Sequence, residues 1–429
     1  MLKLKYVDLK YKPSKDELLA EYYVEPNRIP IEKAAAHLAA ESSIGTWTTI
    51  STMNPRVAKK LKPHVYEIDK RKKTVKIAYH PELFEPGNMP QIWSAIAGNI
   101  FGMKVVNNLR LEDISFPKKM ARAFKGPRYG IEGIRNIVKF KNRPLVGTIV
   151  KPKVGLNPRQ HAEVAYNAWV GGLDVVKDDE NLTSMSFNKF KDRIIYTLKL
   201  RDKAENETGE KKIYMPNITA ETDEMLRRAN FVKLYGGEYI MVDILTCGWS
   251  GLQTVRNDTN QVIHAHRAMH GALTKNHKHG ISMLTIAKCA RLIGVDQLHI
   301  GTASVGKMEG EPLEVEEIED EVEARFFIKE KDKSHILEQD WHGIKPVLAV
   351  ASGGLHPGSI PLLLKRMGKN IVMQFGGGCH GHPMGTKAGA MAIRQAMLAA
   401  MHGTPLKRYA EAHEELREAV KKWGVVKGR

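Results

Sequence analysis

The chain has 429 residues and a formal net charge of +18, from 66 Lys plus Arg against 48 Asp plus Glu. Its 42% hydrophobic and 27% charged content is that of a folded globular protein, which excludes a disordered chain and allows two or three domains at about 150 residues each. The basic excess leaves nucleic acid, an anionic membrane surface or a polyanionic small substrate as partners, with scattered surface lysine as the plain competitor.

The first segment, MLKLKYVDLKYK, has charges and no apolar core, so it is not read as a signal peptide. Leu18 to Val24 is ambiguous: Ser14 and Glu17 make a capping-box pattern, but Tyr22, Tyr23 and Val24 favour a strand, and a strand is expected. Ile31 to Ala40 reads as a helix opened by Pro30. His64–Asp69 and Thr74–Tyr79 read as a hairpin whose tip carries Lys70, Arg71, Lys72 and Lys73. Residues 1–130 hold 23 basic and 13 acidic side chains, so the front of the chain is its more basic part. A front domain of mixed helices and strands, an α+β N-terminal domain over 1–125, is expected.

From about residue 144 the rhythm changes to short β-rich runs, each followed by a turn and a helical stretch. The runs are Leu145–Val150, Leu173–Val176, Ile213–Met215, Tyr239–Val242, Val262–Ala265, Gln297–Ile300, Val347–Val350 and Ile371–Phe375. Eight βα units in roughly 260 residues predict an α/β fold with a C-terminal (β/α)8 barrel, a TIM barrel, over 126–404. A doubly wound sheet is the alternative, because periodicity does not close a barrel. The last stretch, with YAEAHEELREAVKKW, predicts an amphipathic helix over 405–429 on the outside of the barrel. No run reaches the roughly 18 apolar residues of a membrane span. Three scattered cysteines, Cys247, Cys289 and Cys379, suit neither a disulfide framework nor a zinc ribbon, and a cytoplasmic location is expected.

In a barrel, chemistry sits where strands end. The first run ends in Lys151-Pro152-Lys153 and the second in Lys177-Asp178-Asp179-Glu180. The fifth carries His264, His266 and Arg267, and the sixth ends in His299 before a glycine-flanked segment with Lys307. The seventh ends in Ser352-Gly353-Gly354, and the eighth, with Gln374, in Gly376-Gly377-Gly378. An isolated KDDE is more often a solvated helix start, but this one follows a buried strand. Alternation puts Lys177 and Asp179 on one face, and Glu180 joins them where the strand ends. Two hard carboxylates suit Mg2+. A desolvated lysine loses its proton more readily and as a free amine is able to take up CO2 as a carbamate, adding an anionic ligand. The two glycine clusters expose backbone N–H groups as anion cradles, against the plain reading of tight turns. His266, Arg267 and His299 suit acid–base and phosphate-binding work, whereas His264 and His270 read as satisfied polar residues. Lys307 reads as a cation on a mobile lid. Together these groups imply one divalent metal and a small bisphosphorylated substrate, with proton abstraction beside a carbonyl giving an enediolate.

The motifs GGLDVVKDDEN, TIVKPKVGL, HAHRAMHGA, HIGTASVGKMEGE, VASGGLHPG and QFGGGCHGHPMG, with ESSIGTWTT and AGNIFGMK in the front domain, stand in one order over nearly the whole chain. In this the sequence resembles the large subunit of ribulose-1,5-bisphosphate carboxylase/oxygenase (RuBisCO), most closely the archaeal form III type. The resemblance implies Mg2+-dependent carboxylation of ribulose 1,5-bisphosphate, with side oxygenation by O2, giving two 3-phosphoglycerate. It implies Mg2+ on carbamylated Lys177, Asp179 and Glu180, with the carbamate as base on the C3 proton. Lys151 would protonate the product carbanion, supported by Lys153, and His266 would move protons at C3. Arg267 and His299 would hold the distal phosphate. Gly354, Gly376 and Gly377, with Thr46 and Trp47, would cradle the other, and Gly353 and Gln374 stand in the same substrate-binding motifs. Ser352 would bind a hydroxyl. Lys307, paired with Glu41, would stabilise the incoming carboxylate, and Asn99 would contact substrate and metal. Because front-domain residues complete a partner's site in this family, a homodimer or a multimer of dimers is implied, with no small subunit. The form III likeness points to nucleotide and pentose salvage, including AMP metabolism. Two departures from the plant-type pattern stand out: one extra residue between His299 and Lys307, and Ile149 where plant-type enzymes have Thr. The nearest competing reading is a RuBisCO-like enolase or isomerase of sugar phosphates that does not fix CO2. A nucleic-acid-binding protein is a more distant one, without interleaved aromatics or a binding motif.

Overall fold

The computed structural model describes residues 4–46, 48, 50–306, 312–327 and 337–427. The chain forms two compact units, one of Met1–Gly126, Met269–Ile293 and Ala324–Ile344, the other of Pro127–Ala268, Gly294–Glu323 and Lys345–Arg429.

The first unit is built on a five-stranded mixed sheet. Its order is Gly280–Ile281, Val106–Ser115, Leu18–Pro26, Thr74–Tyr79, His64–Asp69. The ambiguous segment is a strand, Leu18–Pro26, paired antiparallel on both sides. The Ser14–Glu17 pair caps no helix: the Glu17 carboxylate accepts from Ser14 N at 2.7 Å and from the Tyr11 hydroxyl, closing a turn. The helix Ile31–Glu41 buries Ile31, Ala34, Ala35 and Leu38, with Pro30 as its N-cap. Its last residue is the candidate Glu41. The hairpin has the expected strands and an exposed basic tip, where Lys70 pairs with Glu32 and Lys73 with Glu25 at 3.5 Å. The segments 269–293 and 324–344, which fall in the barrel region by sequence, cluster with this unit. Gly280–Ile281 adds a parallel edge strand beside Arg110 and Leu111, and Asp113 accepts from Lys288 Nζ at 2.9 Å and from Leu337 N at 2.7 Å.

The second unit holds eight parallel strands in the order Ile213–Met215, Val175–Lys177, Leu145–Ile149, Ile371–Phe375, Leu348–Ser352, Gln297–His299, Val262–His266, Tyr239–Asp243. All eight coincide with the strand runs read from the sequence to within two residues. The sheet curls until its first and last strands meet: Met241 N donates to Pro216 O at 2.8 Å and Ile218 N to Met241 O at 3.1 Å. That seam makes the sheet a nearly closed barrel rather than a doubly wound sheet, and helices such as Pro158–Val170 and Phe190–Thr208 separate successive strands. Most strand residues are buried on both faces, as in parallel sheets covered by helices.

The two ends of the barrel differ. Where strands begin, Leu145, Val175, Ile213, Tyr239 and Val262 pack with Ile134 and Val138 of the helix Gly130–Val138. Asp296 ties that end by accepting from Tyr129 N, Gly130 N and Ile263 N. Where strands finish, five of the eight end on a polar residue: Lys177, Asp243, His266, His299 and Ser352. The C-terminal stretch is two helices, Leu406–Tyr409 and Glu414–Trp423, not the single amphipathic helix expected. The break lies at His413, which is extended (φ −132°, ψ 101°) and whose Nδ1 takes the Tyr409 carbonyl at 2.8 Å. In an unbroken helix that carbonyl would receive the His413 N–H.

Candidate active site

The second barrel strand ends at Lys177, and its register places Lys177 beside Ile149 of the first strand and Met215 of the third. Beyond it the side chains part. Asp178 turns into the protein and is fully buried. Its carboxylate accepts from Tyr214 Oη at 2.6 Å, Arg193 Nε at 3.1 Å and Asn217 N at 3.0 Å, and faces His161 Nε2 at 3.1 Å. Burial pushes this carboxyl up, but Arg193, His161 and Tyr214 outweigh it and hold it well below the usual range. Lys177 and Asp179 share the other side. Lys177 is 1% exposed, and its Nζ donates to the Asp178 carbonyl at 2.9 Å and lies 3.4 Å from Met241 Sδ. Burial lowers its pKa, and the nearby Glu180, Asp179 and Asp243 only partly offset this.

Asp179 is buried and accepts from Lys151 Nζ at 2.6 Å and from Asn181. Glu180 accepts from Lys153 Nζ at 3.2 Å and lies 3.8 Å from His266 Nε2. Its burial raises the pKa, yet His266, Lys177 and Lys153 bring it down to about 2. Lys153 is raised in turn, chiefly by Glu180. The ends of the first two strands thus gather two lysines around two carboxylates, with Lys177 beneath them. Among the described residues no three His, Cys, Asp or Glu side chains are grouped to hold a metal ion. Asp179 and Glu180 supply two hard oxygen donors, and a third anionic oxygen has to come from elsewhere. A buried lysine driven toward its neutral amine is a group that CO2 converts to a carboxylate-like ligand. The donor set therefore fits Mg2+.

The fifth and sixth strands bring the histidines together. His266 Nδ1 lies 3.2 Å from Asp243 Oδ1, across the register pair that joins the fourth and fifth strands. Its ring is 4.6 Å from that of His299. His264 is satisfied, as expected, between Gln297 Oε1 and His299 Nε2, each at 2.8 Å. His270 lies in the first unit, its Nδ1 3.0 Å from Thr274 Oγ1. Burial holds His266 below its ordinary value, His264 down at about 3, and His299 well below the normal range. Burial therefore favours the neutral ring in all three. Arg267 is nearly buried and is drawn down by that burial to about 10, so it keeps its charge at neutral pH.

Ser352 and Gln374 are paired in register at the ends of the seventh and eighth strands. Gly353 and Gly354 have φ of 124° and 74°, conformations that favour glycine. A Cβ on Gly376 would lie 3.2 Å from Lys151 Cε, and one on Gly378 2.1 Å from Leu355 O, so the two glycine loops touch backbone to backbone. Gln374 is 1% exposed, and neither of its amide atoms has a hydrogen-bond partner among the described residues. Such orphaned buried amides ask for a ligand or water.

The barrel thus assembles Lys151, Lys153, Lys177, Asp179, Glu180, His266, Arg267, His299, Ser352, Gly353, Gly354, Gln374, Gly376 and Gly377 at the strand ends of one unit. Glu41, Thr46 and Asn99 belong to the first unit: Glu41 ends its helix, Thr46 is half-buried and Asn99 is exposed at a short 3-10 turn. Trp47 and Lys307 lie outside the described residues. Sequence reading passed over Asp178 as a separate actor, and missed Asn217 and Asp243. Asn217 Nδ2 donates to the Glu180 carbonyl at 3.2 Å and to Asp243 at 3.3 Å. The acid that ends the apolar run YIMVD was the available signal for Asp243.

The model of the ribulose bisphosphate carboxylase large chain, catalytic domain, matches residues 130–423, and that of the same chain's N-terminal domain matches residues 5–120. The ribulose bisphosphate carboxylase of Methanosarcina mazei is 54% identical over 97% of this chain and 98% of its own. A dimeric archaeal Rubisco from Hyperthermus butylicus is similar in structure with a TM-score of 0.93 and 47% identity, over 98% of this chain and 99% of that one. An octameric Rubisco from Pyrococcus horikoshii, crystallised with sulfate, superposes with a TM-score of 0.90 and 46% identity over the full length of both chains. By its sequence, its barrel and the groups at the strand ends, this chain belongs to the ribulose bisphosphate carboxylase large-chain family of enzymes.

Proposed function

We propose that this chain catalyses Mg2+-dependent carboxylation of ribulose 1,5-bisphosphate through an enediolate to two 3-phosphoglycerate, with oxygenation by O2 as the side reaction. The observation that carries this reading is Lys177. It is a buried lysine beneath two carboxylates, in an environment that disfavours its ammonium form. As the free amine, Nζ adds to CO2 and sheds a proton, and a carbamate results. That carbamate with Asp179 and Glu180 would hold Mg2+, which when bound supplies positive charge beside oxygens that become anionic.

The protein's own groups do the rest. The Lys177 carbamate takes the C3 proton. His266, its Nδ1 accepting from Ala268 N and lying beside Asp243, relays protons at that carbon. Lys151 protonates the final carbanion, with Lys153 beside it. Arg267 and His299 hold one phosphate, and the glycine loops with Thr46 and Trp47 hold the other. Ser352 and Gln374 meet the sugar, and Asn99 meets substrate and metal. Lys307, with Glu41, stabilises the new carboxylate. Sharing of sites between copies follows from this reading, and a homodimer or a multimer of dimers without a small subunit is inferred. The dimeric and octameric relatives support that assembly. A cytoplasmic place in nucleotide and pentose salvage completes the proposal. Among the described residues, no helix is long and apolar enough to cross a membrane.

The test mixes the protein with Mg2+, labelled bicarbonate and ribulose 1,5-bisphosphate under anaerobic conditions. Labelled 3-phosphoglycerate is expected, and its absence would refute the carboxylase reading.

A further inference from the structure

The C-terminal helix Glu414–Trp423 lies against both glycine loops. Its last residue, Trp423, is half-buried, and its ring stacks on His356 with centroids 6.0 Å apart and planes 28° apart. On another side it meets His382 at 6.3 Å. His356 comes two residues after Gly354, and His382 comes four after Gly378. One indole therefore bridges the loop after the seventh strand and the loop after the eighth.

Hydrogen bonds on both loops reinforce the bridge. The Gly381 carbonyl accepts from Lys422 Nζ at 2.6 Å, and His382 Nε2 donates to the Glu415 carbonyl at 2.8 Å. Past the helix, Val426 N donates to the Gly358 carbonyl at 2.9 Å. The approach is close: a Cβ on Gly358 would lie 1.8 Å from Gly424 O. The helix is itself anchored, since Gln395 of the helix Gly385–Met401 both donates to Glu415 and accepts from Leu416 N. Loops rich in glycine have large conformational freedom, and an anion cradle made of backbone N–H groups binds well only when that freedom is removed beforehand.

We infer that Trp423, with the segment 424–426 behind it, is a positioning residue that pre-orders the 352–354 loop and the Gly376 end of the short helix Gly377–His380 for a phosphate group of the substrate. The inference rests on the reading of those loops as a phosphate cradle. Trp423 touches no reacting atom. Its contribution is to substrate binding, and it leaves the Lys177 corner alone.

The test compares Trp423→Ala and Trp423→Phe with the unaltered enzyme in three measurements. These are KM for ribulose 1,5-bisphosphate against kcat, competition by inorganic phosphate, and the carbamate on Lys177 seen by 13C NMR with labelled CO2. Trp423→Ala is expected to raise KM and the phosphate inhibition constant about tenfold, one factor of ten being about 1.4 kcal/mol of binding. Its kcat should change much less, and its carbamate signal should be unchanged. Trp423→Phe, which keeps a stacking ring, should recover most of the affinity. Should Trp423→Ala fail to fold, a chain ending at Gly424 keeps the indole and loses the Val426 bond, and it should show the same split at smaller amplitude. Equal KM and phosphate inhibition in all variants would overturn the inference, as would parallel loss of kcat and carbamate. If the unaltered enzyme neither turns over nor responds to phosphate, it is the reading of the site that fails.

Discussion

Replacing Asp178 with Asn removes one negative charge from a site where three donors converge beside His161. Asp178 and Arg193 are both fully buried, 3.1 Å apart, and Tyr214, Asn217 and His161 complete the set. The amide retains the shape but leaves the Arg193 guanidinium without its countercharge, and turns an N–H2 toward groups that themselves donate. Breaking a buried pair in this way costs about 3–5 kcal/mol. At about 2 °C per kcal/mol for a domain of this size, the melting midpoint falls by about 6–10 °C. The assay is scanning calorimetry at pH 7. Because this carboxyl is held below its ordinary range, its stabilisation is complete above the unfolded value near about 3.9 and fades as pH falls through the folded value. The deficit of the variant should therefore shrink in acid. A loss below about 1 kcal/mol for Asp178→Asn would put this pair in the class of exposed ion pairs and refute the reasoning.

Lys177→Ala should abolish both turnover and the 13C carbamate signal, and wild-type activity in that variant would remove Lys177 from the metal assignment. Lys307→Ala is expected to keep proton exchange at C3 while losing carboxylation, measured by tritium wash-in to the substrate. On the helix Pro312–Glu323, burial and then the charges of Glu323, Asp320 and Glu316 raise the Glu319 carboxyl to about 9. The folded state therefore holds a proton that the unfolded state releases, and stability declines as pH rises from the unfolded value toward about 9. Glu319→Gln should raise the melting midpoint at pH 8 and have little effect at pH 4, and an equal effect at both would contradict this.

The eight barrel strands are legible in the residues alone, because parallel strands buried on both faces are written as apolar runs between turns. The residues at their ends are legible as well, since a residue's place after a strand is a matter of counting. Lys177, Asp179 and Glu180 could be read that way, from alternation alone. What alternation does not convey is the partner of each side chain. Asp178, adjacent to two proposed ligands and identical in type to one of them, is separated from them only by Arg193, Tyr214, His161 and Asn217, which come from other elements. The same holds for Asp243 beside His266, and for Gln297 and His299 on the two nitrogens of His264. The closing seam at Met241 depends on strand curl, which no local pattern encodes. At the break, the His413 ring takes the Tyr409 carbonyl, a local contact that the amphipathic pattern does not announce. The place of Trp423 between two glycine loops depends on where the last helix docks, a long-range packing choice that an amphipathic pattern permits on many surfaces. Local periodicity fixes which face of an element is buried. Only the tertiary structure decides against what, and so which charges are compensated, which lysine is desolvated and which loops are held.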